Sequence, residues 1–389
     1  MLENALHPGT CSVLTDRTPE HYIYRHTADL CVSGPDNGIF PAQAAVKILT
    51  GPSMNSFISD LHIHSRFSMA TSKQLTVPHL CGWAMVKGIN VLGTGDFTHP
   101  KWRQELRDNL VFDEETGFYR PTASPEPVFP DLASSPARPP YFCLQTEISS
   151  IYKRGGKVRK VHNLVFMPTL EDADRFSEKL GQIGNINSDG RPILGLDSAD
   201  LLDLVLNTCP RAFFIPAHVW TPWFSLFGSK SGFDDIHDCF GSLTEHIFAL
   251  ETGLSSDPGM NRLVSALDGY ALVSNSDAHS GPNLGREANL FTGRVSYDGM
   301  FAALREAASR LPRDQRTSDT HFEGTLEIYP EEGKYHYDGH RNCHVVMSPE
   351  EAEEHGNICP VCGKPLTIGV MHRVWDLADR KEEPHLKEE

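Results

Sequence analysis

The chain predicts an α/β fold: a barrel of strands alternating with helices, followed by a small zinc-binding module. Three observations lead there. Short apolar runs recur over roughly 220 residues with helix-like stretches between them, the size and alternation of a β/α barrel. Most of these runs end in a side chain that binds metals, and the C-terminal strand ends of such barrels carry the chemistry. Near the C-terminus, two short ligand pairs are separated by a loop, in the manner of a structural zinc site.

The first run, Ile58-Ser-Asp-Leu-His-Ile-His-Ser65, sets His62 and His64 two residues apart. On a strand, positions i and i+2 share a face, so two imidazoles present together. Gly88–Asp96 ends in Asp96, with His99 three residues on. Tyr141–Glu147 ends in Glu147, and Val161–Met167 carries His162 near its start. Arg211–His218 ends in His218, and Tyr270–Asp277 ends in Asp277, with His279 two further on. Continuous apolar runs of this length read as strands of a parallel sheet covered on both faces. Helical patterns over Trp83–Lys87, Leu170–Leu180 and Asp197–Leu206 lie between them, the last with Asp197 or Ser198 as N-cap. A strand-end Asp alone commonly forms a turn, and an isolated His-x-His is as often a half-buried pair as a metal site. Six segments presenting ligands in one register point instead to a polynuclear metal site. A mixed imidazole and carboxylate set suits zinc or manganese better than calcium or magnesium.

The series His62-x-His64, Gly95-Asp96, Glu147, His162, His218 and Asp277-x-His279 resembles the PHP (polymerase and histidinol phosphatase) superfamily. Longer strings are similar to its endonuclease Q branch: Asp60-Leu-His-Ile-His-Ser65, Ala70-Thr-Ser-Lys73, Gly93-Thr-Gly-Asp-Phe-Thr-His-Pro100, Lys157-Val-Arg-Lys-Val-His-Asn163 and Ser274-Asn-Ser-Asp-Ala-His-Ser280. The resemblance runs from about Met54 to about Arg380. It implies a distorted (β/α)7 barrel and cleavage of DNA 5′ to hypoxanthine, uracil, xanthine and abasic sites. It also implies that His62, His64, Glu147 and Asp277 hold one metal. Glu147 would bridge to a second held by His162 and His218, and Asp96 and His279 would complete a third position. Asp277, Glu147 and His218 are the expected catalytic residues. Zn2+ is the expected ion, with Mn2+ or Mg2+ as alternatives in the barrel. The expected partners are DNA containing deaminated bases and a replication sliding clamp. One departure stands out. Many phosphatase members have a further His where this chain has Ala70, and an Asp-His pair where it has Asp96-Phe97, so His99 is the candidate substitute. Two other readings stay open: a small-molecule phosphoesterase of the histidinol-phosphatase type, and an inactive DNA-binding scaffold.

The second module has His340-Arg-Asn-Cys343, fifteen intervening residues, and Cys359-Pro-Val-Cys362 before a Gly-Lys-Pro turn. His336, His344 and His355 compete with His340 for the fourth ligand position. No thioredoxin-like strand and helix flank the Cys-x-x-Cys. The zinc is expected to be structural, because so small a module has too little core to fold without it.

The domain boundaries follow. Residues 1–53 have little periodicity and read as an N-terminal extension, with Met54 as the expected natural start. The barrel spans 54–315, the linker and zinc module 316–380, and a charged tail 381–389. Residues 120–140 carry seven prolines and read as an exposed loop. The six cysteines outside the module (Cys11, Cys31, Cys81, Cys143, Cys209, Cys239) read as free thiols in a reducing compartment. No run is long enough to span a membrane and no signal-peptide pattern opens the chain, so a cytoplasmic location is expected. A net charge of −16 weighs against DNA binding, but metals supply positive charge where a phosphate sits. Lys153, Arg154, Lys157, Arg159 and Lys160 form a basic run around Gly155-Gly156, and Trp223 and Phe224 lie in an aromatic cluster after His218. Both are candidate DNA contacts, weighed against a solvated loop and plain core packing.

Overall fold

The computed structural model describes residues 23–24, 56–129 and 138–382. The expected extension over 1–53 lies outside these, apart from Ile23–Tyr24, which pair in parallel with Leu326 and Glu327 at a sheet edge. Cys11, Cys31, residues 130–137 of the proline-rich stretch and residues 383–389 of the tail also lie outside. No helix among the described residues is long and apolar enough to cross a membrane.

The fold is mixed α/β. Ser56–Asp60, Val91–Gly93 and the start of Tyr141–Arg154 run in parallel, side by side. The next step departs from the all-parallel expectation. Tyr141–Arg154 turns directly into Lys157–Met167, and the two pair antiparallel along their whole length. The turn is Gly155-Gly156, both with positive φ (59° and 74°), the backbone a two-residue hairpin needs and glycine supplies. The basic run is therefore the tip of a β-hairpin rather than a loop between separate strands. Phe213–Pro216 pairs antiparallel with the hairpin's second arm. Ala249–Glu251 and Ala271–Val273 form a parallel pair, and Ala288–Gly293 returns antiparallel to Ser56–Asp60.

Helices fill the connections where the apolar spacing called for them. Leu170–Ile183 begins at Thr169, whose hydroxyl accepts from Asp172 N–H, and buries Leu170, Ala173, Phe176 and Leu180 on one face. Ser198–Leu206 begins at Asp197, which caps Ala199. The last barrel helix, Tyr297–Ala308, is capped by Ser296 and buries Tyr297, Met300, Phe301 and Leu304.

Two boundaries differ from the sequence expectation. Thr320–Glu327, within the expected linker, is a strand of the main sheet, paired with Ala288–Gly293. The C-terminal module is not separate: its helix Val370–Leu377 places Val370 and Val374 in the large hydrophobic core.

The sheet edge near Thr320–Glu327 also buries two carboxylates. Burial pushes the Glu287 carboxyl well above the usual range, helped by nearby Glu327. Burial likewise pushes Glu327 up to about 7. Ser274 Oγ–H donates to Glu287. Both groups bind protons more tightly folded than unfolded, where a Glu titrates near 4.3. Both contributions are complete below the usual Glu range, and that of Glu327 is lost as pH rises through about 7. Denaturant unfolding at pH 5 and pH 8 should show this loss. In Glu327→Gln the loss should shrink by on the order of 3 kcal/mol; an unchanged pH dependence would remove the assignment.

Candidate metal centre

The long hairpin sets the first geometry. Ser149 lies opposite His162 and Glu147 opposite Leu164, so Glu147 and His162 are diagonal neighbours on one sheet face. His218 follows Phe213–Pro216 on the adjacent strand. Glu147 Oε1 lies 2.6 Å from His162 Nδ1 and 3.1 Å from His218 Nε2, and the two ring nitrogens lie 3.2 Å apart. The other oxygen, Oε2, faces a second group. It is 3.3 Å from His64 Nε2 and 3.7 Å from His62 Nε2, and Asp277 Oδ1 closes the group at 3.2 and 3.6 Å from the same atoms. Glu147 thus bridges two clusters.

Apart from the 2.6 Å contact of Glu147 with His162, a hydrogen-bond distance, these spacings fit divalent ions. Ligands bonded at about 2.1 Å in tetrahedral geometry stand about 3.4 Å apart. Among the described residues, His62 Nε2, His64 Nε2 and Asp277 Oδ1 are buried without hydrogen-bond partners, as atoms that face an ion would be. The imidazoles are also oriented from behind. His62 Nδ1–H donates to Glu251, 3.0 Å from each carboxylate oxygen, and His64 Nδ1–H donates to Asp96 Oδ1 at 3.0 Å. A donated Nδ1–H fixes the tautomer and turns the Nε2 lone pair toward the ion.

The electrostatics agree. Burial pushes the Asp277 and Glu147 carboxyls up, but the imidazoles around both, with Arg191 beside Glu147, outweigh it and hold them ionised. Burial holds the His162 pKa down at about 4, Glu147 opposing it, so its ring is neutral at pH 7. His62 and His64 are raised well above the usual value: burial opposes protonation, and the surrounding carboxylates overcome it.

The expected third position is not assembled. Both Asp96 oxygens are engaged, by His64, by Ser65 N–H and Oγ–H at 2.7 Å, and by Ser68 Oγ–H at 2.9 Å. Asp96 supports His64 from behind. His99 serves a helix instead. Its Nδ1 caps Pro100–Asn109 by accepting from Trp102 N–H, and its Nε2 lies 3.2 Å from Asn187 O. Both of its nitrogens thus have partners within the described residues. His279 packs against the His64 ring at 4.6 Å, with its Nδ1 2.9 Å from Asp277 O. Asp96, His218 and Asp277 all have positive φ (48°, 28° and 46°), a strained backbone typical of functional sites.

Several site residues escaped the sequence reading. Glu251 ends a short apolar run, Phe248-Ala-Leu-Glu251, of the same form as the ligand segments, and that signal was available. Besides His62 it accepts His218 N–H and Asn275 Nδ2–H, both at 2.8 Å. Arg191, which donates to Glu147 Oε2 at 3.0 Å, has no such signal. Asp60 lies beneath, accepting from Ser276 N–H and Gly285 N–H, and burial pushes its pKa up to about 6.

The basic hairpin divides. Arg154 donates to Asp238 O and Cys239 O and pairs with Asp197, while Arg159 donates to Gly232 O and stacks on Phe233 at 4.1 Å. These two hold the hairpin to the fold. Lys153 and Lys157 are exposed, and Lys160 lies over the Phe224 ring at 5.1 Å. Phe224 itself packs against the His162 ring at 4.7 Å, and Trp223, 39 % exposed, faces Tyr335.

In the small module, ligand atoms of His340, Cys343, Cys359 and Cys362 all lie within 4.8 Å of one another. His336 is buried against Ser255 O instead, and His344 and His355 end helical turns. This donor set fits a tetrahedral metal site.

No family model matches the chain. A Bacillus subtilis protein, uncharacterized protein YqxK, is 30% identical over 347 residues, covering 85% of this chain and 79% of the relative. Uncharacterized protein MJ0043 of Methanocaldococcus jannaschii is 33% identical over 166 residues, 42% of this chain and 20% of its own length. Among solved structures, the lesion-specific endonuclease PfuEndoQ from Pyrococcus furiosus aligns with a TM-score of 0.66 at 30% identity, over 85% of this chain and 73% of that one. Endonuclease Q in complex with a 27-mer duplex substrate, an abasic lesion at its active site, aligns with a TM-score of 0.68 at 31% identity, over 85% and 74%. Fold and site define the class, a metal-binding hydrolase with imidazoles and carboxylates at its strand ends. Within that class, the chain belongs to the endonuclease Q family.

Glu251 orients His62 and the His218 backbone, and protein donors meet both of its oxygens. Glu251→Gln should therefore keep the fold and weaken metal binding about 10- to 100-fold. Metal titration with melting as a control checks this; wild-type affinity would show that the carboxylate does not position the ligands.

Proposed function

We propose that this protein is a metal-dependent DNA endonuclease that cuts the phosphodiester 5′ to deaminated bases (hypoxanthine, uracil, xanthine) and to abasic sites, in DNA repair. One observation carries the reading. The bridged ligand clusters open into a cavity of about 580 Å³ bounded by Trp223, Phe224, Tyr335, Lys334 and Arg286. Aromatic and cationic walls beside a metal centre suit an extruded nucleotide and its phosphate. Hypoxanthine and uracil differ from their parent bases at the pairing edge, which is hidden while the base is stacked. Flipping exposes it at a cost of a few kcal/mol, least for mispaired bases.

Ions held by His62, His64, Glu147, Asp277, His162 and His218 would neutralise phosphate charge and lower the pKa of bound water. The chain's own groups do the rest. Asp277, ionised and open to the cavity, is placed to take a proton from the attacking water. Glu147 holds both clusters in register, and His218, anchored through its N–H to Glu251, closes the second one. Arg286 braces the Asp277 loop by donating to Ser276 O at 2.7 Å.

The test is a panel: metal-loaded protein with abasic, inosine-containing and undamaged duplexes, and with histidinol phosphate. Cleavage 5′ to the lesions with little cutting of undamaged DNA is expected. Turnover of histidinol phosphate alone would move the reading to a small-molecule phosphoesterase, and silence on every substrate to a scaffold. Asp277→Ala should lower cleavage at least about 100-fold with the fold intact.

Trp223 tests the cavity wall. Stacking on an unpaired base contributes about 1–3 kcal/mol. Trp223→Ala should narrow the ratio of inosine to undamaged cleavage about tenfold or more, at unchanged metal content. An unaltered ratio would exclude this side chain from lesion recognition.

A further inference from the structure

Arg191 is the cation nearest the bridging carboxylate, and several contacts hold it there. It ends the segment 185–191, which is fixed at several points. His99 Nε2 meets Asn187 O, Asp189 Oδ1 accepts from Met69 N–H and Arg191 N–H, and Gly190 N–H donates to Phe67 O at 3.1 Å. At Gly190 an added Cβ would stand 2.4 Å from Asp96 Oδ2 and 2.5 Å from Ser68 Oγ, so only glycine lets the segment lie this close. One contact region thus sets both the Asp96–His64 bond and the path of Arg191 into the site.

The guanidinium has five N–H donors. Among the described residues it donates only to Glu147 Oε2, the same oxygen that faces His62, His64 and Asp277. The side chain is 27 % exposed and lines the cavity together with Asp277 and His218. Its pair with Glu147 uses one donor, and a largely buried guanidinium with the others unused, facing a cavity beside a candidate hydrolytic centre, has room for a second anion. Arginine's planar fork matches the oxygens of a phosphate. Arg286, the other arginine on this wall, is occupied with the carbonyls of Ser276 and Asp277.

We propose that Arg191 is a catalytic residue that binds the non-bridging oxygens of the scissile phosphate, orienting it against the Glu147 bridge and stabilising the charge that grows on it. The inference rests on the phosphodiesterase reading above and assigns its anion contact.

The test uses the full-length, metal-loaded protein and its Arg191→Ala and Arg191→Lys variants. On abasic duplex, Arg191→Ala should lose about 100-fold or more in kcat, with melting temperature and bound metal unchanged. Arg191→Lys should recover part of the loss, and added guanidinium ion should partly rescue Arg191→Ala but not wild type. A separate calorimetric titration with inorganic phosphate should show at least tenfold weaker binding to Arg191→Ala. Wild-type cleavage or wild-type phosphate binding by Arg191→Ala would overturn the proposal, as would a loss accounted for entirely by missing metal. If the wild-type protein cuts no DNA, the endonuclease reading falls, and the phosphate titration still decides for or against Arg191.

Discussion

The arrangement depends on one buried carboxylate. Glu147 is fully buried and meets four imidazoles and a guanidinium. An ionised carboxylate in such a place is costly unless it is paired. Here its two oxygens are divided between two ligand groups, so compensating it and building the centre are the same act. The hairpin that carries Glu147 also carries His162, and the hairpin's antiparallel register sets their separation.

Around this carboxylate runs a second layer that holds rather than binds. Asp96 stands behind His64, Glu251 behind His62 and the His218 backbone, and Asn275 ties Glu251 to Leu61 N–H. The layer separates a strand-end carboxylate left free to take a metal from one that is already occupied. Asp96 and Asp277 end similar runs and share a left-handed backbone. Asp96, however, is saturated by Ser65 and Ser68, whereas Asp277 Oδ1 is left bare.

That distinction marks the limit of what was legible from residues alone. Ligand type and order were readable because each chemistry-bearing residue sits at the end of an apolar run. His62, His64, Glu147, His162, His218 and Asp277 come together as their spacing suggested. The cap made by His99 was not legible because a His three residues after a ligand looks the same whether it binds an ion or caps a helix; Pro100 following it was the available sign of a cap. The antiparallel hairpin was missed because a buried strand reads as apolar whichever way its neighbour runs. Arg191 was invisible because its placement depends on a close approach of segments far apart in sequence.

The helix Val370–Leu377 has a consequence for how the molecule comes apart. Its Val370 and Val374 belong to the main core, and Arg373 donates to Phe227 O and Phe233 O in the loop that also carries Trp223. Ser229 and Lys230 of that loop donate in turn to carbonyls of Ile368 and Leu366. A chain joined this way has no seam between barrel and module, so loosening of one is passed to the other. Opening that begins at His340 and the three cysteines would travel through Arg373 to the cavity wall before it reached the sheet. The wall that carries Trp223 would loosen first, while the ligand clusters stayed in place.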